Sequence, residues 1–384
     1  MADAAHDVPP AASETGDPLL LTPGPLTTSA AVKRAMLHDW GSRDARFIAM
    51  NRRVLDRLAT LAGAAESHVA VPMQGSGTFA VEAMIGTLVP AAGKLLVLAN
   101  GAYGTRAAKI AERIGRPVTV LDWPEDRPND PAAVADALRE DQAITHVFAV
   151  QCETTSGILN PIAEIAAVTA KAGRALLVDA MSAFGALPLD SASVPFQALA
   201  ASANKCLEGV PGLGFVIADR QALAAAAGNA PSLSLDLAEQ QAALEETGQY
   251  RFTPPTHVIA AFDRALAEHT AEGGTEGRGA RYAANCRLLV DGMRRRGFET
   301  LLPDELQAPI IVTFRMPADP DFDFARFYDG LARRGYLIYP GKLTVAESFR
   351  MGCIGRLGIA EMEGALAAVD AVMAEMGVAS GAPT

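Results

Sequence analysis

Ser202-Ala-Asn-Lys-Cys-Leu-Glu-Gly209 is the stretch on which the reading of this chain turns. Apolar, strand-like residues flank it, Phe196-Gln-Ala-Leu-Ala-Ala-Ser202 before and Gly212-Leu-Gly-Phe-Val-Ile217 after. A lysine in that setting loses hydration when the chain folds, and desolvation lowers an amine's pKa. Only the neutral amine can attack a carbonyl carbon and form a Schiff base. Of the six lysines (33, 94, 109, 171, 205 and 342), Lys205 alone has such neighbours. A surface lysine at a strand end is the plain alternative, so the residues that accompany Lys205 decide the matter.

Working outward, the bulk composition removes several classes of function. The 384 residues suit two domains, or one large and one small. Half the residues are hydrophobic and one fifth charged, as in ordinary soluble proteins. A net charge of −11 argues against a nucleic-acid footprint, which is basic. No apolar run approaches the ~18 residues of a membrane span. The first 18 residues read as a disordered tail without a signal peptide's basic and apolar regions. Cys152, Cys206, Cys286 and Cys353 lack CxxC spacing, so neither a zinc site nor a disulfide framework is expected, and a reducing cytoplasm is.

Leu21-Thr-Pro-Gly-Pro25 opens the ordered part as an irregular extended segment. Helical periodicity follows from about Ser29 to Ala62. Strands are then expected at Val69–Met73, Lys94–Ala99, Val118–Leu121, His146–Gln151, Ala175–Val178, Ala198–Ser202 and Phe215–Ala218. They are apolar on both faces and separated by helix-length segments, which predicts a mostly parallel sheet covered on both sides, an α/β fold. After Pro254-Pro255 a long helical stretch with a Gly-rich break (Glu272-Gly-Gly-Thr-Glu-Gly277) runs to about Arg296. A strand at Ile310–Phe314 and helices at Phe322–Arg334 and Gly358–Met376 then predict a smaller α+β domain.

Several residues gather around the lysine in this reading. Asp179 ends the strand beginning at Ala175, and open parallel sheets bind ligands beyond the carboxyl ends of their strands. A carboxylate there can pair with a protonated pyridine nitrogen, the central electronic requirement of pyridoxal phosphate; alone it serves equally to cap the next turn. Gly75-Ser-Gly-Thr78 lies between a strand and a helix, where backbone N–H groups and two hydroxyls suit a phosphate, or are merely caps. Tyr103, in Asn100-Gly-Ala-Tyr-Gly104, is either a ring that stacks on a planar cofactor or a surface aromatic. Glu153-Thr-Thr-Ser-Gly157 brings hydroxyls to another strand end. Arg350 offers a guanidinium to an acidic group through two parallel hydrogen bonds, as one of many arginines.

The chain resembles the class V aminotransferases, fold type I pyridoxal phosphate enzymes, from Leu21-Thr-Pro-Gly-Pro25 to Arg350-Met-Gly352. Within the class four stretches are most similar to the transaminases that act on 2-aminoethylphosphonate and pyruvate. They are Gln74-Gly-Ser-Gly-Thr-Phe-Ala-Val-Glu-Ala83, Cys152-Glu-Thr-Thr-Ser-Gly-Ile-Leu-Asn-Pro161, Ser202-Ala-Asn-Lys-Cys-Leu-Glu-Gly-Val-Pro-Gly212 and Phe252-Thr-Pro-Pro-Thr-His257. The resemblance implies a fold type I large domain with a seven-stranded sheet at residues 19–260, a small domain at 261–378 and a short tail at 379–384. It implies Lys205 as the Schiff-base lysine, Asp179 on the pyridine nitrogen, Tyr103 stacked on the ring and Thr154 near the ring hydroxyl. Ser76, Gly77 and Thr78 would hold the phosphate, with Thr253 and Tyr250 supplied by the second subunit of a homodimer. Arg350 and Gly24 would bind the substrate. The implied reaction gives phosphonoacetaldehyde and L-alanine, with an alanine– or serine–glyoxylate aminotransferase as the alternative. One departure falls at Gly41-Ser-Arg43, where some phosphonate transaminases carry Cys-Thr-Trp; if it lines the entrance, it bears on donor preference.

Overall fold

Alternate residues of each expected strand are apolar and point to opposite faces, so both faces of the sheet must be covered. The computed structural model, which describes residues 10–342 and 346–383, has that arrangement. Its main sheet has seven strands: β1 (His68–Gln74), β2 (Lys94–Ala99), β3 (Val118–Asp122), β4 (Ile144–Val150), β5 (Ala175–Asp179), β6 (Ala198–Ser202) and β7 (Leu213–Asp219). The order is β1-β7-β6-β5-β4-β2-β3. All are parallel except β7, which runs antiparallel to β1 and β6.

The two faces feed two cores, and the alternation is visible residue by residue. Leu96, Leu98, Val147, Ala149, Leu176, Val178, Phe215 and Ile217 pack on one side. There they meet Phe47, Met50, Val54 and Leu58 of α1 (Ala45–Leu61), together with Ile259 and Phe262, which lie on a later helix. Leu95, Val97, Phe148, Val150, Leu177, Val216 and Ala218 point the other way. That face is covered by α2 (Gly77–Leu88) and α3 (Ala102–Arg113). A third core lies in the C-terminal part. It packs α5 (Gly274–Arg295), which follows α4 (Thr256–Ala271) of the first core, against a three-stranded sheet of β8 (Ile311–Arg315), β9 (Tyr339–Pro340) and β10 (Ser348–Gly352). Helices α6 (Phe324–Arg333) and α7 (Ile359–Met376) cover it. Leu19 and Leu21 belong to this third core: Leu19–Leu20 pairs in parallel with Tyr336–Leu337, and the Gly352 N–H donates to the Leu21 carbonyl at 2.9 Å. Among the described residues no helix is long and apolar enough to cross a membrane.

Three expectations are corrected. The helix expected over Ser29–Ala62 is interrupted: Ala30–Arg34 and a short turn at Ala35–Leu37 precede α1, and His38 to Asp44 is not helical. Gly41 breaks the run, and Asp44 starts a new helix by accepting the Arg46 N–H on its carboxylate. The Gly-rich break is shorter than its composition suggests, since Gly274 and Gly277 are already inside α5 and only Glu272 and Gly273 separate the helices. Neither end is loose where it is described. The Ala11 N–H donates to the Arg334 carbonyl and the Gly381 N–H to the Arg296 carbonyl, while residues 1–9 lie outside the described residues.

Candidate active site

Every parallel strand that carries a candidate residue delivers it from its carboxyl end, the place where open α/β sheets leave a crevice. β1 is followed by Ser76 to Thr78, β2 by Tyr103, β4 by Glu153 and Thr154, β5 ends on Asp179, and β6 is followed by Lys205. Ser76, Gly77, Thr78, Tyr103, Asp179 and Lys205 line one cavity of about 180 Å³.

Lys205 owes its position to the turn that follows β6. The Glu208 N–H donates to the Lys205 carbonyl and the Gly209 N–H to the Ala203 carbonyl, each at 2.7 Å. Glu208 completes the turn with φ of 56°, a left-handed conformation rare outside glycine. Its buried carboxylate is held by Arg281 Nη2 at 2.7 Å and by the Tyr282 hydroxyl at 2.6 Å, both from α5. Arg278 donates to the Cys206 carbonyl in the same turn and, with Arg281, to Glu272. Burial works against the Glu272 charge, but Arg281 and Arg278 hold its carboxyl down at about 2. The Lys205 amine donates to the Pro23 carbonyl at 2.7 Å. A side chain at Gly24, whose φ is +115°, would overlap that amine, so the close approach requires glycine. Burial lowers Lys205 to about 8, leaving an appreciable neutral fraction near neutrality.

Asp179 is 5% exposed, and its Oδ1 accepts the Met181 N–H at 2.9 Å. Burial pushes its carboxyl up to about 6, against the Met181 hydrogen bond, so a cation placed beside it would recover a desolvation cost already incurred. Behind Gly77 there is no room for a side chain, because a Cβ would overlap the Met181 thioether.

Glu153 is the residue whose part sequence reasoning missed. Fully buried, it accepts the N–H of Tyr103 at 3.0 Å, of Gly104 at 3.4 Å and of Thr155 at 3.0 Å, and so fixes the start of α3 and with it the Tyr103 ring. A lone glutamate ahead of two threonines was the only signal. Arg350, on β10, is 1% exposed and donates to the Thr154 carbonyl at 2.8 Å and the Pro340 carbonyl at 3.2 Å. Among the described residues no carboxylate forms an ion pair with it. Burial lowers its pKa. Thr154 is thus joined to Arg350 through its backbone, while among the described residues its buried hydroxyl finds no partner, and neither does that of Ser202. Arg106 also lines the cavity and was not singled out in the sequence.

Tyr250 and Thr253 are not part of this chain's cavity. The Tyr250 hydroxyl reaches Asn51 at 3.4 Å, and Thr253 is exposed beside Phe252. Arg43 is exposed in the non-helical segment before α1.

Comparison with known proteins agrees with this geometry. Residues 26–333 match the family model described as aminotransferase class-V. A 2-aminoethylphosphonate–pyruvate transaminase of Pseudomonas fluorescens (strain Pf0-1) is 54% identical over 364 residues, 95% of this chain and 99% of that protein. One from Pseudomonas aeruginosa (strain PAO1) is 54% identical over 94% of this chain and 97% of its own length. Among solved structures, pyridoxamine–pyruvate aminotransferase of Mesorhizobium loti superposes with a TM-score of 0.85 at 26% identity, covering 95% of this chain and 94% of that one.

Proposed function

The chain belongs to the class-V aminotransferase family, and from that premise we propose that it moves the amino group of 2-aminoethylphosphonate to pyruvate, giving phosphonoacetaldehyde and L-alanine. Identity of 54% to proteins named for that reaction, across nearly the whole chain, favours it over the alanine– or serine–glyoxylate alternative. The observation that carries the chemistry is the desolvated Lys205 amine sharing one cavity with the buried Asp179 carboxyl.

We propose pyridoxal phosphate as cofactor, and the residues present suit it. The N-terminus of α2 with the hydroxyls of Ser76 and Thr78 would take the phosphate, Tyr103 the ring face, and the unpartnered Thr154 hydroxyl the ring hydroxyl. When bound, the group supplies an electron-withdrawing ring that stabilises a substrate carbon which has lost a proton. Asp179 keeps one oxygen on the Met181 N–H and would hold a protonated ring nitrogen with the other. The neutral Lys205 amine takes the proton leaving the amino-bearing carbon of the donor. In the second half of the reaction the same Nζ returns a proton to the carbon that becomes Cα of alanine. Arg350, held on two backbone carbonyls, orients the phosphonate first and the pyruvate carboxylate next. The Pro23 carbonyl and the glycine beside it hold the amine in place.

The proposed assembly is a homodimer in which Tyr250 and Thr253 reach the partner's phosphate pocket. Leu37 at 83% exposure, Leu233 and Phe252 supply apolar surface for such a contact. We further propose a division near residue 260 into large and small domains. A cytoplasmic location suits the four free, buried cysteines.

The test is single-turnover spectroscopy of the cofactor-loaded protein. Adding 2-aminoethylphosphonate should bleach the visible band of lysine-bound cofactor, and pyruvate should restore it. A band indifferent to the phosphonate but bleached by alanine or serine would overturn the proposed donor.

A further inference from the structure

Arg106 has no task in the mechanism above, yet it is built into the cavity. It stands on the second turn of α3 with Nη1 3.4 Å from the Thr78 hydroxyl and its guanidinium 4.8 Å over the Tyr103 ring. Among the described residues no carboxylate forms an ion pair with it. Asp179 and Lys342 are charged groups that interact with it across the cavity. The hydroxyl it touches belongs to the first turn of α2, whose N–H groups carry the positive end of the helix dipole. A guanidinium turned toward the positive end of a helix is an unfavourable pairing unless an anion lies between them. A second observation points to the same unmet interaction: Ser202, 3% exposed, lines this cavity, and among the described residues its hydroxyl has no hydrogen-bond partner.

We propose that Arg106 binds the cofactor's phosphate group, as a cationic wall facing the N–H groups of Ser76 to Thr78, with the Tyr103 ring holding the guanidinium flat. The inference rests on the cofactor reading and adds to it a phosphate ligand from α3. Phosphate and substrate phosphonate share one chemistry, and the geometry assigns Arg106 to the first. Its partner Thr78 belongs to the helix N-terminus, whereas Arg350 stands across Thr154 on β10.

The experiment compares cofactor-stripped wild type, Arg106→Gln and Arg106→Lys by equilibrium dialysis against pyridoxal phosphate and against pyridoxal, which lacks the phosphate. Losing a charge-assisted hydrogen bond should weaken pyridoxal phosphate binding by about ten- to a hundredfold in Arg106→Gln. Pyridoxal affinity should stay within about twofold of wild type, because the removed charge has nothing to meet, and Arg106→Lys should recover part of the loss. Inorganic phosphate should compete with pyridoxal phosphate for the wild type and less well for Arg106→Gln. Equal losses for both ligands would overturn the proposal, since Arg106 would then act through the ring or the fold. Unchanged cofactor affinity with a raised KM for 2-aminoethylphosphonate would move Arg106 to the substrate and overturn it as well. If the wild type itself bound pyridoxal phosphate no better than pyridoxal, the cofactor reading would fail first and take this inference with it.

Discussion

Two buried polar clusters share the stretch Ser202 to Gly209, and the fold treats them in opposite ways. On the side of Glu208 every charge meets its opposite: Glu208 and Glu272 face Arg278 and Arg281. The Tyr282 hydroxyl donates to Glu208 and accepts the Gly355 N–H, so this cluster is closed. On the side of Lys205 the same economy is absent. Among the described residues Arg106 and Arg350 have no carboxylate partner, and the Ser202 and Thr154 hydroxyls have no hydrogen-bond partner. Buried polar groups are ordinarily satisfied, so a cluster left open marks where a ligand completes the pairing. The closed cluster holds shape; the open one is the site.

The sharpest way to break this contrast is at Lys205. Lys205→Ala should lower alanine formation by at least about a thousandfold, as loss of the proton-transferring group implies, and abolish the visible band; surviving turnover would end its assignment. Arg350→Lys keeps the charge and loses the forked geometry. It should cut kcat/KM for 2-aminoethylphosphonate by roughly a hundredfold, at about 1.5–3 kcal/mol for a charged hydrogen bond, while denaturant midpoints stay close to wild type. The closed cluster should answer in the reverse sense. Glu208→Ala takes the second carboxylate from Arg278 and Arg281 and the acceptor from the buried Tyr282 hydroxyl, and should destabilise the fold by about 3 kcal/mol in urea titrations, and the refolded fraction should retain its KM for pyruvate. A KM change without a stability change would erase the distinction between the clusters. The smallest effect concerns pH. With the Lys205 amine lowered to about 8, capture of pyridoxal phosphate by stripped protein should quicken as pH rises and level off above that value. Stopped-flow absorbance would show the rise, less than tenfold between pH 7 and 8; a flat profile would mean that the amine is already neutral.

What the sequence disclosed follows the same division. All seven strands are legible because both faces are apolar and helix-length segments intervene, and strand-end placement then picks out Asp179 and Lys205. The reversal of β7 is not legible, since an antiparallel strand buried on both faces has the same apolar run as its parallel neighbours. Glu153 escaped notice because its partners are backbone N–H groups some fifty residues away, which no local pattern records. Arg106 escaped for a related reason, as one arginine on the amphipathic helix α3 carries no mark of the cavity it faces. The interruption before α1 turned on Asp44 serving as a cap rather than as one more polar residue in a helix.

The carbonyl that meets the Lys205 amine belongs to Pro23, and the Pro23 segment is anchored elsewhere, through Leu19 and Leu21, on residues 335–337 and 352. During synthesis the lysine therefore leaves the ribosome long before its cover can be fastened. A nascent chain that has just completed β6 and β7 carries the reactive amine under a flap whose moorings are still more than a hundred residues from being made. The pocket can be finished only once residues 335–337 and β10 have docked, which ties the birth of a competent site to the assembly of the C-terminal sheet.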